Sequence, residues 1–315
     1  MTLIDTRQLR AFQLLARSGS FTAAAKELFV TQSAVSHSIK ALETSLDCSL
    51  LDRAGKHVAL TAHGETLLRR VDRIFAEMEL ATDELKSLNR WGHGKLRVGA
   101  TDTMCQYLLP GVLREFRESF PNCEVSISAG DTGDLISLLD RGEVDLVLGM
   151  RPAADEPGID FRPLFSDDLI FAVSPLHPWA TAGVKPDKTL AGERFIIYAR
   201  RSPTYHLVTR HLSKLGLASP QLTELGNMEA IKEFSKIGMG VGVIAPWVIR
   251  EELEQGQLVA ITPPGDPMTR DWGIILRGRG ANLTMIGETF AGICKTASRT
   301  LSSGSPSAEK RTGGL

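Results

Sequence analysis

The chain has 315 residues, of which 43% are hydrophobic and 23% charged, so a disordered chain is excluded and the length suits about two domains. With 36 basic and 37 acidic residues the net charge is −1, which excludes a polycation that coats nucleic acid but leaves room for a local DNA-binding module. Four scattered cysteines, 48, 105, 123 and 294, form no CxxC pair; this argues against a zinc ribbon or disulfide framework and suits a reducing cytoplasm.

The start, Met1 to Arg7, carries an acid and a base where a signal peptide needs a long apolar run. Leu9, Phe12, Leu15 and Ala16 share one helical face, and Gly19-Ser20 breaks the pattern. Thr22 is the expected cap of a second helix, Ala23 to Phe29. Thr31 or Gln32 opens a third, in which Val35, Ile39, Leu42 and Leu46 form the apolar face. Gln32, Ser33, Ser36, His37 and Lys40 are left on its outer faces. Two short helices joined by a tight turn follow the plan of a helix-turn-helix, although the spacing alone fits a small helical bundle equally well. The stretch Leu50 to Thr61 reads as a hairpin turning at Ala54-Gly55. Its tip carries Arg53, Lys56 and His57 with no acid after Asp52, a wing suited to phosphate or minor-groove contact.

A long helix is expected from about Ala62 to Asn89. Leu67, Val71, Ile74, Met78, Ala81, Leu85 and Leu88 recur at alternating spacings of 4 and 3, a narrow seam of the kind that pairs helices. The remaining faces carry Arg69, Arg70, Asp72, Arg73, Glu77 and further charges. A dimerising helix fits the seam better than an amphipathic helix lying on its own domain. Trp91-Gly-His-Gly94 ends it. Strands and helices then alternate: Lys95–Ala100, a helix over Tyr107–Phe120, Glu124–Ala129, Asp134–Arg141 and Val144–Met150 predict a parallel sheet covered by helices. The alternation resumes from Leu169 to Ala245, with a late strand at Asp271–Leu276, and fits two linked α/β lobes. The stretch Gly238 to Ile249, rich in Gly and broken by Pro246, is too short to span a membrane. Residues 301–315 are of low complexity and are expected to form a disordered tail.

Several expected strands end in a polar loop that opens a helix: Thr101-Asp-Thr103, Gly130-Asp-Thr132, the loop Arg200 to Tyr205 with Ser202-Pro203 as cap and first turn, and Gly226-Asn227. Helix starts beyond strand ends offer N–H groups to an anion; each loop alone fits an ordinary cap better, and only their convergence on one cleft would make a binding site. No HExxH, GxSxG or Walker loop occurs. Gly238-Met-Gly-Val-Gly242 lacks the strand–turn–helix context of a dinucleotide loop and reads as a helix stop with close packing. Cys105 stands near a helix start, where a thiol pKa can fall, but a quiet, half-buried thiol fits better.

The run Phe21-Thr-Ala-Ala-Ala-Lys-Glu-Leu-Phe-Val-Thr-Gln-Ser-Ala-Val-Ser-His-Ser-Ile-Lys-Ala-Leu-Glu43, followed by Leu50-Leu-Asp-Arg53 and Leu60-Thr-Ala-His-Gly64, resembles the DNA-binding domain of LysR-type transcriptional regulators. Leu51 stands where the family usually has Phe. Val98-Gly-Ala-Thr-Asp-Thr, Leu108-Leu-Pro110 and Gly240 to Pro246 resemble the family's two-lobed effector domain, which is similar to periplasmic binding proteins.

The resemblance implies an α/β chain with a winged helix-turn-helix at 1–62, a linker and dimerisation helix at 63–91, and an effector domain at 92–300. Within the last, lobe I takes about 92–166 and 268–300, and lobe II about 167–267. DNA contact falls to Gln32, Ser33, Ser36, His37, Lys40, Arg53 and Lys56, and dimerisation to Leu67, Val71, Ile74, Met78 and Leu85. Effector contact falls to Thr101, Thr103, Thr132, Arg201, Thr204 and Asn227. The expected partners are double-stranded promoter DNA, a small-molecule co-inducer, RNA polymerase and further copies of the chain as homodimer or homotetramer. No metal, other cofactor, membrane contact or enzymatic activity is expected. An organic anion is the expected effector. A neutral or aromatic one is the rival, with Met104, Tyr107 and Tyr205 as apolar walls.

Overall fold

The computed structural model describes residues 4–52, 58–87, 93–152, 158–181, 189–217, 219–278 and 283–302. The chain divides into two units, one of residues 1–89 with 140–143, the other of 90–139 and 144–315.

The first unit contains α1 (Thr6–Ser18), α2 (Phe21–Glu27), α3 (Gln32–Leu46), β1 (Leu51–Asp52), β2 (Ala59–Leu60) and α4 (Ala62–Ser87). Ser20, not Thr22, caps α2: its extended backbone lets its hydroxyl accept from the Ala23 N–H, whereas Thr22 already lies inside the first turn. Thr31 caps α3 by accepting from Ala34 N. Between these helices Phe29 takes a left-handed backbone (φ 56°) and reverses the chain. Phe12, Leu15, Ala24, Val35, Ile39, Leu42 and Leu50 fill one core, and β1 pairs antiparallel with β2. The expected hairpin tip, with Arg53, Lys56 and His57, lies outside the described residues. Gly64 in the first turn of α4 lies against the Leu50 carbonyl, where a Cβ would collide.

The second unit opens with β3 (His93–Ala100), α5 (Asp102–Tyr107), α6 (Leu109–Ser119), β4 (Asn122–Ala129), α7 (Thr132–Asp140), β5 (Leu146–Met150) and β6 (Ile159–Asp168). It continues through β7 (Ile170–Val173), α8 (Pro178–Thr181), β8 (Arg194–Tyr198), α9 (Pro203–Lys214), β9 (Gln221–Leu225), α10 (Met228–Lys236), β10 (Val241–Ile244), α11 (Arg250–Glu254) and β11 (Val259–Ile261). It closes with β12 (Thr269–Arg277), α12 (Met285–Ala297) and α13 (Arg299–Ser302). One five-stranded sheet has the order β4-β3-β5-β12-β6, the other β11-β7-β10-β8-β9. The chain crosses from the first lobe to the second between β6 and β7, and returns between β11 and β12.

The expectation of a parallel sheet holds only for part of each lobe. β3 runs parallel to β4 and β5, but β12 is antiparallel to β5 and β6. The reason is connectivity: β12 returns from the second lobe and re-enters the first sheet against the direction of β5. In the second sheet β8 is parallel to β9 and β10, while β7 is antiparallel to β10 and β11. The expected helix over Tyr107–Phe120 is α6, which begins at Leu109; Tyr107 instead ends the separate helix α5, and Pro110 in the first turn of α6 supplies no N–H to the preceding turn. Gly240 takes φ 157° where a Cβ would strike the Arg194 carbonyl, in keeping with a close-packed helix stop.

Candidate functional site

On α3 the buried face is Val35, Ile39 and Leu42, while Gln32, Ser33, Ser36, His37 and Lys40 are all exposed. The Ser33 hydroxyl lies 3.0 Å from that of the capping Thr31, so the start of α3 presents a connected set of hydroxyl and amide groups. Such groups match the donors and acceptors of base edges in a major groove. Arg53 and Lys56, expected on the wing, lie outside the described residues.

The seam on α4 is divided. Val71 is fully buried in the core of its own unit and Leu67 packs against the same core, so Val71 has no surface left for a partner chain. Ile74 and Met78 are 43% and 49% exposed. The Leu85 side chain lies outside the described residues. Asp72, expected on a solvated face, is instead buried: Gln13 Nε2 and Arg17 Nη2 donate to its Oδ1 at 2.6 and 3.0 Å. These bonds fasten the first half of α4 to α1.

In the second unit the carboxyl ends of β3, β4 and β5 in one lobe face the end of β8 in the other. Thr101 stands at the start of α5; its N–H donates to the Leu148 carbonyl (3.1 Å), and its buried Oγ1 has no partner among the described residues. Thr103 and Thr132 are buried beside it at the starts of α5 and α7. Across the gap, Ser202 caps α9 by accepting from Tyr205 N at 3.1 Å, with Pro203 in the first turn. Arg201 is exposed, and its charge acts on Asp131. Burial, then Asp134 and Asp102, push the Asp131 carboxyl up, and Arg201 opposes them. Burial, followed by Asp131 and Asp102, pushes the Tyr198 hydroxyl up to about 12. Arg201 and Tyr198 of one lobe thus lie within electrostatic reach of Asp131 in the other, beside Asp102 and Asp134, carboxylates that the sequence pattern did not single out.

Two expected effector residues are committed to the fold. The Asn227 side-chain oxygen accepts from Glu229 N (2.7 Å) and Ala230 N (3.3 Å), which caps α10. The Thr204 hydroxyl is buried between Arg270 and Met150. The expected apolar walls are changed too. Met104 belongs to the core, and the Tyr107 ring meets Trp247 edge-on at 5.6 Å while its hydroxyl donates to Glu229 Oε1 at 2.7 Å. Gln106 Nε2 donates to the same oxygen, also at 2.7 Å, so α5 of one lobe clasps α10 of the other. Burial, then Asp102, raises the pKa of the Cys105 thiol, the direction that suits a quiet, half-buried thiol. Among the described residues no group of acidic, His and Cys side chains is arranged to hold a metal ion, and no helix is long and apolar enough to cross a membrane.

Residues 6–65 match the family of bacterial regulatory helix-turn-helix proteins, lysR family, and residues 91–291 match the LysR substrate binding domain. The RuBisCO operon transcriptional regulator of Allochromatium vinosum is 30% identical over 291 residues, 91% of this chain and 94% of that protein. The HTH-type transcriptional regulator YeiE of Escherichia coli K12 is 32% identical over 265 residues, 83% of this chain and 87% of its own. Among solved structures, ArgP from Mycobacterium tuberculosis has the same fold, with a TM-score of 0.73 at 18% identity over 94% of this chain and 97% of that one. CbnR in complex with its target DNA has a TM-score of 0.61 at 21% identity, over 93% of this chain and 99% of that one. The two matched domains span most of the chain, and the relatives are regulators rather than enzymes, so the chain belongs to the LysR family of DNA-binding transcriptional regulators, with an N-terminal helix-turn-helix and a C-terminal effector-binding domain.

Proposed function

We propose that this regulator binds promoter DNA as a homodimer or homotetramer in the cytoplasm, and that a small organic anion held between the two lobes of the effector domain controls its action on RNA polymerase. What supports the effector reading is the placement of Thr101, Thr103 and Thr132 at helix starts beyond strand ends of one lobe, with the charge of Arg201 in the other lobe acting on Asp131 beside them. Helix starts supply N–H groups and a positive dipole end, and a guanidinium supplies a two-pronged contact to a carboxylate. Asp102, Asp131 and Asp134 favour a second reading, in which the effector carries an ammonium group as well, because a bare anion beside these carboxylates is repelled. Isothermal titration with citrate, sulfate, inorganic phosphate, lysine and a neutral aromatic amide separates the readings. Binding of an anion or of lysine is expected to weaken about tenfold in Thr101→Val and in Arg201→Ala, the effect of losing one charged or buried hydrogen bond. Tight binding of the neutral amide, unchanged in both variants, refutes the anion reading.

For assembly, Ile74 and Met78 are the large apolar residues of α4 left exposed among the described residues, and they are proposed to meet a second copy of the chain. Ile74→Asp with Met78→Asp puts unpaired charges into that contact, and sedimentation is expected to give monomers or DNA affinity to fall sharply. An unchanged oligomer with intact DNA binding means that this helix is not the dimer contact.

A further inference from the structure

The turn that leads into α3 carries an apolar side chain that the fold does not use. Phe29 is 96% exposed, more than any other large hydrophobic among the described residues, and Val30 beside it is 47% exposed. The backbone of this pair closes the end of α2: the Phe29 N–H donates to the Lys26 carbonyl at 3.3 Å, and the Val30 N–H to the Ala25 carbonyl at 3.0 Å. Phe29 thereby takes the left-handed position after the helix (φ 56°), where glycine or asparagine is usual and a bulky side chain is strained. A phenylalanine there costs stability twice, in backbone conformation and in apolar surface left in water, and no packing within its unit offsets the cost. The exposed surface continues without a break into α3, through Thr31, Gln32, Ser33 and Ala34. Phe29 is therefore the apolar beginning of the same outer surface whose polar part starts at Gln32.

We propose that Phe29 is a specificity-determining residue for DNA, and that its ring reads the methyl group of a thymine in the major groove, beside the bases met by the start of α3. The thymine C5 methyl is the apolar group that base edges show in that groove, and phenylalanine is among the side chains that match it. A phenyl ring has no donor for a phosphate oxygen, so backbone positioning, the other common role of a residue at such a turn, does not suit it. Because two backbone hydrogen bonds hold the turn, docking the ring orders little chain, and its contact selects a base by position as well as by apolar surface. The proposal rests on the reading that α3 enters the major groove, and its test separates the two.

The full-length chain is titrated with a duplex selected by the wild type from a random pool, each thymine being exchanged in turn for deoxyuracil, which removes the methyl and nothing else. At one thymine of the site the exchange is expected to weaken wild-type binding about fourfold, the factor for one methyl group taken out of water. Phe29→Asn removes the ring and suits the left-handed turn, so the first unit keeps its fold. It is expected to bind the parent duplex at least about fourfold more weakly than the wild type and to be indifferent to deoxyuracil at that one position. The ratio of parent to exchanged affinity is independent of the fraction of chain that is folded, so a loss of stability cannot imitate this coupling. A wild-type chain indifferent to the methyl at every thymine overturns the inference. So does Phe29→Asn with wild-type affinity, or with undiminished sensitivity at every thymine. If the coupling appears while the triple alanine variant at Gln32, Ser33 and Ser36 keeps wild-type discrimination, the thymine contact stands and the reading of α3 fails. If the triple variant loses discrimination and Phe29→Asn behaves as wild type, α3 reads the bases and the inference falls.

Discussion

Arg270→Met is expected to destabilise the second unit by about 3–5 kcal/mol, because removing one member of a buried ion pair strands the other charge away from water. Asp167 would keep its two indole donors but lose both bonds from the guanidinium. Thr204 would lose a donor, and the stacking of the guanidinium on Trp272, 4.9 Å to the ring centre, would go with it. Adding Asp167→Asn removes the stranded charge while an amide oxygen still accepts from the indoles. The double variant is expected to recover more than half of the loss, since a buried pair replaced as a whole costs far less than a pair broken. Trp179, Trp247 and Trp272 belong to the second unit and the first has no tryptophan, so urea unfolding followed by tryptophan fluorescence reports the second unit. An unfolding midpoint for Arg270→Met equal to wild type means that the pair is not structurally important, and a double variant worse than the single means that the stranded charge is not the cause.

That network was invisible in the sequence, and the reason is physical. Asp167 and Arg270 are 103 residues apart and become neighbours only because β12 returns antiparallel to β6. Neither stands in a local pattern: β6 carries Asp160, Arg162, Ser166, Asp167 and Asp168, and its polar run hides a strand whose partners come from the far end of the chain. Where structure follows from neighbours along the chain, the sequence pattern served well. The α3 face, with Val35, Ile39 and Leu42 inward and five polar residues outward, follows from helical period alone, and Ser202 and Pro203 begin α9 as cap chemistry requires.

The misreadings have one origin. Period tells which residues share a face but not what covers that face. Val71 belongs to the α4 stripe by spacing and to the core of its own unit by packing, while Ile74 and Met78, three and seven residues on, are open. Asp72 looks like a surface acid until Gln13 and Arg17 close over it from α1. In the cleft, hydroxyl and amide residues at helix starts were legible as a class. Whether each group is free or spent was not, because Asn227 is satisfied within its own turn and Thr204 by an arginine that arrives from β12.

Alanine at Gln32, Ser33 and Ser36 together is expected to abolish sequence-specific DNA binding while the chain stays folded. The three side chains are exposed at the start of α3 and contribute nothing to the core of Val35, Ile39 and Leu42. Thr31 remains as cap, and alanine is at least as good a helix former as the residues it replaces, so α3 itself is kept. A side chain that pairs with a base edge contributes about 1–3 kcal/mol of discrimination, so Gln32→Ala alone should cost roughly tenfold to a hundredfold in specific affinity. Lys40 is a point charge one helical turn beyond Ser36 and suits phosphate. Lys40→Ala should weaken binding to every sequence alike and lower the slope of log affinity against log salt by about 1. Both effects are read from one set of titrations at several salt concentrations, using a labelled duplex selected from a random pool by the wild-type chain and a scrambled duplex of the same length. The α3 variants should lower the ratio of specific to scrambled affinity and leave the salt slope on scrambled DNA unchanged, whereas Lys40→Ala should leave the ratio and change the slope. Wild-type discrimination by the triple alanine variant would mean that α3 does not read the bases, and that sequence recognition lies elsewhere in the first unit.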